Sequence, residues 1–311
     1  MQYVLFVGSK VGYEAVVGMA ELKCDILHVF IEQEHDHEHL QFYEKTVREC
    51  QQSQYDYSLN AGNEEIISVL DNKLSLHKPI DYIMSFGYRR LIPERIIKKA
   101  AIAALGVHFS PLPRYRGFAP LNWVLINGEH ETAVNLFCLD KEIDNGDIVD
   151  REFVTIDYLD DINTLYEKCL CEFRKLMYRF IPKLESGKFE AEKQDSSKAT
   201  YACARSPEDG IINWNRGSRE IYNLVRALTY PFPGAYTYFD DQKLYIWSCE
   251  EYDIPKYEGL IPGKVIKIVK GTGIVVLCGT GAVLLKEGQI EGNERKTLDR
   301  IIASVRITLG N

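Results

Sequence analysis

His108 closes an apolar segment and opens the stretch His108-Phe109-Ser110-Pro111-Leu112-Pro113-Arg114-Tyr115-Arg116-Gly117, and Asp144 follows in Ile143-Asp144-Asn145-Gly146-Asp147-Ile148. An imidazole titrating near neutral pH can take a proton from an attacking nucleophile. A carboxylate beside it can orient the ring and keep its proton on one nitrogen. Two prolines with preset φ and no N–H to donate, then a glycine free to take conformations other residues avoid, hold such a loop in shape. A rigid loop bearing a titratable group is where chemistry usually sits. Taken alone, His108 reads as a core histidine bonded to backbone and Asp144 as an exposed loop residue; the two motifs together favour proton transfer.

To aim that imidazole, a strand must end at His108. Residues 3–8, 26–32, 82–86 and 105–109 read as strands, and helices are expected at about 12–22, 64–76 and 93–101. Such alternation predicts a Rossmann-like α/β unit, a mostly parallel sheet with helices on both faces whose ligands lie beyond the carboxyl ends of the strands. His108 and the segment 85–90 fall at such ends. A helix at 119–126, strands at 133–139 and 148–155 and a long helix from about 162 to 186 complete a first domain, 1–189. The polar stretch 190–205 reads as a linker. A helix at 218–228 and short strands near 235–239, 243–248, 263–268, 274–277 and 282–286 suggest a small C-terminal β-barrel of the oligonucleotide/oligosaccharide-binding (OB) type over 206–311.

Composition bounds the function. The 311 residues, 46% hydrophobic and 26% charged, are ordinary for a globular protein with two cores. The apolar runs fall far short of the roughly 20 residues of a membrane helix, and the N-terminal residues lack a signal-peptide pattern, so a cytoplasmic protein is expected. Eight cysteines without CxxC pairs read as reduced thiols. A net charge of −8 argues against a nucleic-acid footprint while leaving room for a small basic pocket for one phosphate group. His35, His37 and His39 alternate with Asp36 and Glu38, a period that could hold zinc. No fixed partner accompanies them, and a hydrated loop without metal is the preferred reading.

These motifs, with Ala227-Leu228-Thr229-Tyr230-Pro231-Phe232-Pro233-Gly234-Ala235, resemble the folate-dependent formyltransferase family over nearly the whole chain. The stretches 119–129 and 243–248 look most like its sugar-nucleotide N-formyltransferases, such as the domain acting on UDP-4-amino-4-deoxyarabinose. The resemblance implies a transferase in polysaccharide biosynthesis, with 10-formyltetrahydrofolate as donor and a nucleotide-linked amino sugar as acceptor. It implies His108 and Asp144 as catalytic residues. Folate would lie near Phe86, Gly87, Tyr88, Leu91 and Ile92, with Leu139 and Asp140 opposite; Phe86 and Leu91 would equally suit a core. Ser110, Arg114, Arg116 and Gly117 would face the acceptor. The two arginines could grip a pyrophosphate by fork-shaped bonding or form a solvated surface pair. Tyr230 or Phe232 could stack on a base. Methionyl-tRNA formyltransferase shares the plan, but the acidic stretch 32–39 would repel a phosphate backbone. A homodimer remains open.

One departure stands out. The family places asparagine two residues before the histidine, donating its amide to the formyl oxygen, and this chain has Gly106. Losing one oxyanion donor typically costs on the order of a hundred- to a thousandfold in rate. Three readings stay open: a water or another donor, with Asn122 and Asn135 as candidates, replaces the amide; a larger acyl group uses the vacated space; or the chain binds ligands without turning them over.

Overall fold

The computed structural model describes residues 1–34, 41–76, 79–187 and 190–310. The histidines at 35, 37 and 39 lie outside them. Within the described residues no three His, Cys, Asp or Glu side chains gather as a metal site. No helix there is long and apolar enough to cross a membrane. None of the eight cysteines is placed in a disulfide.

The chain forms two compact units. Residues 1–117, 131–155 and 167–202 make the first; residues 118–130, 156–166 and 203–311 make the second. The first is built on β1 (Gln2–Val7), β2 (Asp25–Ile31), β3 (Tyr57–Leu59), β4 (Tyr82–Phe86) and β5 (Ala103–His108), parallel and ordered β3-β2-β1-β4-β5. The short strand β6 (Arg116–Gly117) follows, and then β7 (Glu131–Cys138) and β8 (Ile148–Thr155), which extend the sheet beyond β5 in antiparallel sense. The parallel strands are nearly continuous apolar runs because both faces are covered. On one face Val4, Phe6, Phe30 and Ile83 pack with Ile66 and Leu70 of α3 (Asn63–Ser75) and Ile96 of the four-residue α4 (Glu94–Ile97). The opposite face carries α1 (Ser9–Glu21) and α6 (Ile162–Glu185). The Phe86 ring meets Phe173 of α6 at 5.6 Å, and Tyr3 donates its hydroxyl to Glu185 at 2.8 Å. Gly18 lets α1 approach α6 so closely that a Cβ there would collide with Met177.

The sequence reading lacks α2 (Tyr43–Gln52) and β3, and also the two-residue strands β6, Tyr201–Ala202 and Lys296–Thr297. Helix α2 is too polar to show a long apolar face, burying only Thr46 and Cys50, and β3 is three residues long. The polar stretch after α6 is anchored rather than loose, since its β9 (Tyr201–Ala202) pairs in parallel with β6.

In the second unit, α5 (Pro120–Ile126) packs with α7 (Ser218–Leu228), where Asn122 Nδ2 donates to the Ala227 carbonyl at 2.7 Å. Strands β10 (Ala235–Phe239), β11 (Gln242–Tyr252), β12 (Val265–Val269), β13 (Gly273–Leu277) and β14 (Ala282–Ile290) form an antiparallel sheet ordered β10-β11-β14-β13-β12, with β15 (Lys296–Thr297) beside β14. Its apolar cluster is Val275, Leu277, Ala282 and Leu284.

One buried histidine reports on this packing. His28 on β2 is 6% exposed and bonded through Nε2 to Ser58 Oγ at 3.0 Å. Burial, helped by the Lys73 charge, pushes its pKa from 6.5 down to about 4. The folded state therefore refuses a proton that the unfolded chain accepts, so stability is lost as pH falls from 6.5 to about 4. Urea unfolding across that range is expected to show a loss on the order of 3 kcal/mol that His28→Leu removes.

Candidate active site

The antiparallel register of β5 against β7 sets His108 opposite Asn135 and Gly106 opposite Phe137. His108 is 9% exposed at the end of β5, its Nε2 2.9 Å from the Tyr115 carbonyl and its Nδ1 3.5 Å from Asp144 Oδ2. A carbonyl only accepts, so the hydrogen of the neutral ring sits on Nε2 and the lone pair on Nδ1. Nδ1 is thus the nitrogen that can take a proton, and the imidazolium so formed faces a carboxylate. The Tyr115 carbonyl performs the proton-placing role expected of Asp144. A carboxylate in that place could compensate a charge on the ring.

The loop beneath the ring is tied from below. Asn135, fully buried, donates through Nδ2 to the carbonyls of His108 at 3.1 Å and Ser110 at 2.5 Å, and accepts from Arg151 Nε through Oδ1 at 2.6 Å. Arg151 Nη2 continues to the Leu112 carbonyl at 2.6 Å. Burial lowers the pKa of this guanidinium.

Asp144 is fixed just as closely. Its φ of 51° is left-handed, a region aspartate tolerates better than most residues. Its Oδ2 accepts from the Gly117 N–H at 2.7 Å. Two residues on, Gly146 lies so near the Cys138 carbonyl that any Cβ would overlap it, which leaves glycine alone fitting there.

The structure redistributes the other expected residues. Arg114 is exposed and stacked 5.2 Å over the Tyr115 ring. Arg116 is 1% exposed with its guanidinium on Gln194, a buried strut and no pyrophosphate clamp. Ser110 turns its hydroxyl inward to the Arg114 carbonyl at 2.9 Å. Gly117 positions Asp144 through its N–H. On the donor side, Phe86 is core, Ile92 joins the apolar cluster and Gly87 makes a left-handed turn, while Leu91 is 71% exposed. Tyr88 packs edge-on to Phe6 at 5.3 Å. Asp140 is exposed and accepts from the Glu142 N–H. The loop 87–92 is held by Glu32, which the sequence reading placed in a phosphate-repelling stretch; it accepts from the Arg89 N–H at 2.7 Å and pairs with both Arg89 and Arg90. Tyr230 and Phe232 belong to the second unit, where Tyr230 is 45% exposed beneath Arg295.

Gly106 leaves no vacancy. A Cβ built there would lie 2.7 Å from Leu139 Cδ2 and 3.2 Å from the Phe137 ring. The space expected for a larger acyl group is filled by these two side chains. Neither proposed substitute is free: Asn122 is bonded to Ala227 and Asn135 to two loop carbonyls.

This architecture has relatives. Residues 19–181 match the formyl transferase family, and residues 205–306 match the formyl transferase C-terminal domain. The chain belongs to the formyl transferase family. Among solved structures it is similar to an N-formyltransferase from Helicobacter canadensis in complex with folinic acid and dTDP-3-aminofucose (18% identity, TM-score 0.71, 92% of this chain and 99% of that one). Methionyl-tRNA formyltransferase from Clostridium thermocellum shares the fold (18%, 0.53, 81% and 94%). So does HypX from Aquifex aeolicus (15%, 0.65, 97% of this chain), of whose length this chain spans about half, 47%.

The packing around Gly106 makes a coupled pair. Gly106→Ala is expected to destabilise by about 1–3 kcal/mol, and Leu139→Ala in the same chain to return part of that loss. Denaturant midpoints of the four chains would measure the coupling; strictly additive effects would exclude it.

Proposed function

We propose that this chain is a sugar-nucleotide N-formyltransferase that moves a formyl group from 10-formyltetrahydrofolate to the amine of a nucleotide-linked amino deoxysugar. The observation that carries the reading is the His108 ring held between the Tyr115 carbonyl and the Asp144 carboxylate with Nδ1 as its free base. The free amine attacks the formyl carbon and forms the new C–N bond. His108 Nδ1 takes the amine proton, and Asp144 stabilises the imidazolium. Collapse of the tetrahedral oxyanion breaks the bond from the formyl carbon to the folate nitrogen, which receives the proton back.

Family membership and the folate and dTDP-aminosugar ligands of the Helicobacter canadensis relative support this choice of donor and acceptor. Exposed Leu91 and the Tyr88–Arg90 stack offer an apolar and cationic border for the donor, with Leu139 and Asp140 following β7. Of the two arginines on the loop, exposed Arg114 is the one we assign to an acceptor phosphate. With Gly106 in place of an amide, the oxyanion must be met by water or by the protonated imidazole. A silent binding protein is the second reading, favoured by the apolar packing around Gly106.

Purified protein mixed with 10-formyltetrahydrofolate and a panel of UDP- and dTDP-linked amino sugars is expected to yield a formylated sugar by mass spectrometry. His108→Ala and Asp144→Ala should each lower the rate by about a hundredfold or more. Tight binding of both ligands without product would decide for the silent reading; salt-dependent tRNA binding with formylation of methionyl-tRNA would decide for the tRNA enzyme.

A further inference from the structure

The polar stretch after α6 carries a residue that none of the motifs marks. Gln194 is 5% exposed, and all its hydrogen-bonding capacity is spent. Its Nε2 donates to the carbonyls of Asp144 at 2.8 Å and Gly146 at 2.7 Å. Its Oε1 accepts from Arg116 Nε at 3.2 Å and Nη2 at 2.8 Å. We propose that Gln194 and Arg116 are positioning residues, a buried clamp that sets the Asp144 carboxylate against His108 Nδ1. The proposal rests on the reading of His108 as the base.

A glutamine amide can turn over and present oxygen where nitrogen was. Two guanidinium N–H groups on one oxygen forbid that, because the oxygen must face the arginine and the NH2 must face the two carbonyls. The clamp therefore holds the backbone on the C-terminal side of Asp144, whose left-handed φ an unheld chain would relax toward commoner values. Arg116 also precedes Gly117, whose N–H holds the carboxylate itself. The arginine is costly: among the described residues its guanidinium bonds only Gln194 and, at 3.4 Å, the Tyr201 hydroxyl, so a charge is buried with no carboxylate on it. Packing alone would be served better by an apolar side chain. Orientation of one amide is what the guanidinium adds.

The test reads the ring nitrogens of His108 by NMR in protein carrying isotope-labelled histidine, at fixed pH and without substrates, with the signals assigned by their loss in His108→Gln. Asp144→Asn is expected to move these signals, and Gln194→Leu to move them the same way while the protein still unfolds cooperatively. Unchanged signals in Gln194→Leu, or in Asp144→Asn, would overturn the proposal. If Gln194→Leu does not fold, Arg116→Lys, which keeps the charge and loses the fork, is read by the same criterion. Where formyl transfer is observed, kcat should fall on the order of tenfold to a hundredfold with both KM values little changed. Absence of transfer in the unaltered protein would count against the proposed function alone, since the ring signals judge the clamp independently.

Discussion

The side chain of Asn135 is the point on which the site depends. A loop rich in proline satisfies only some of its carbonyls from within, as Leu112 N–H does for Ser110 and Arg114 N–H for Pro111, and a buried unpaired carbonyl is expensive. Asn135 reaches two of them from the neighbouring strand, and Arg151 extends the same support to a third. That support is available only because β7 runs antiparallel to β5 and brings residue 135 opposite residue 108. Had the sheet continued in parallel, the segment following β5 would be a crossover, and no side chain would rise beneath the loop in this register.

Buried or half-buried guanidinium groups recur as struts. Arg116, Arg151 and Arg226 all direct hydrogen bonds at neutral oxygens: an amide and a hydroxyl for the first, an amide and a carbonyl for the second, an amide and several carbonyls for the third. Arginine suits this work because its planar fork is weakly hydrated and meets several acceptors at fixed angles. Burial lowers the pKa of Arg151 and Arg226. The cost of two buried charges and one half-buried one falls on segments that irregular backbone would otherwise leave undetermined.

Gly106 gives the site its individuality. An apolar wall of Leu139 and Phe137 stands where a side chain from β5 would emerge. The same wall continues into the core cluster through Leu139, so the region beside His108 is braced against collapse.

Much of this was legible in the residues themselves. Apolar runs without polar alternation announced the parallel strands, and proline and glycine announced the rigid loop, because these signals are local and set by the types of neighbouring residues; the pairing of His108 with Asp144 came only from the family resemblance. Helix α2 and strand β3 escaped because one is polar and the other very short. The roles of Asn135, Arg151, Glu32 and Gln194, the burial of Arg116 and the filling of the space at Gly106 were decided by tertiary structure alone. Each joins groups far apart in the chain, such as Arg116 and Gln194, separated by 78 residues, and no local pattern says which distant side chain will arrive. The sequence by itself determined which groups could do chemistry; the fold decided which nitrogen holds the lone pair, and what holds it in place, since those are properties of distances between strands rather than of residue types.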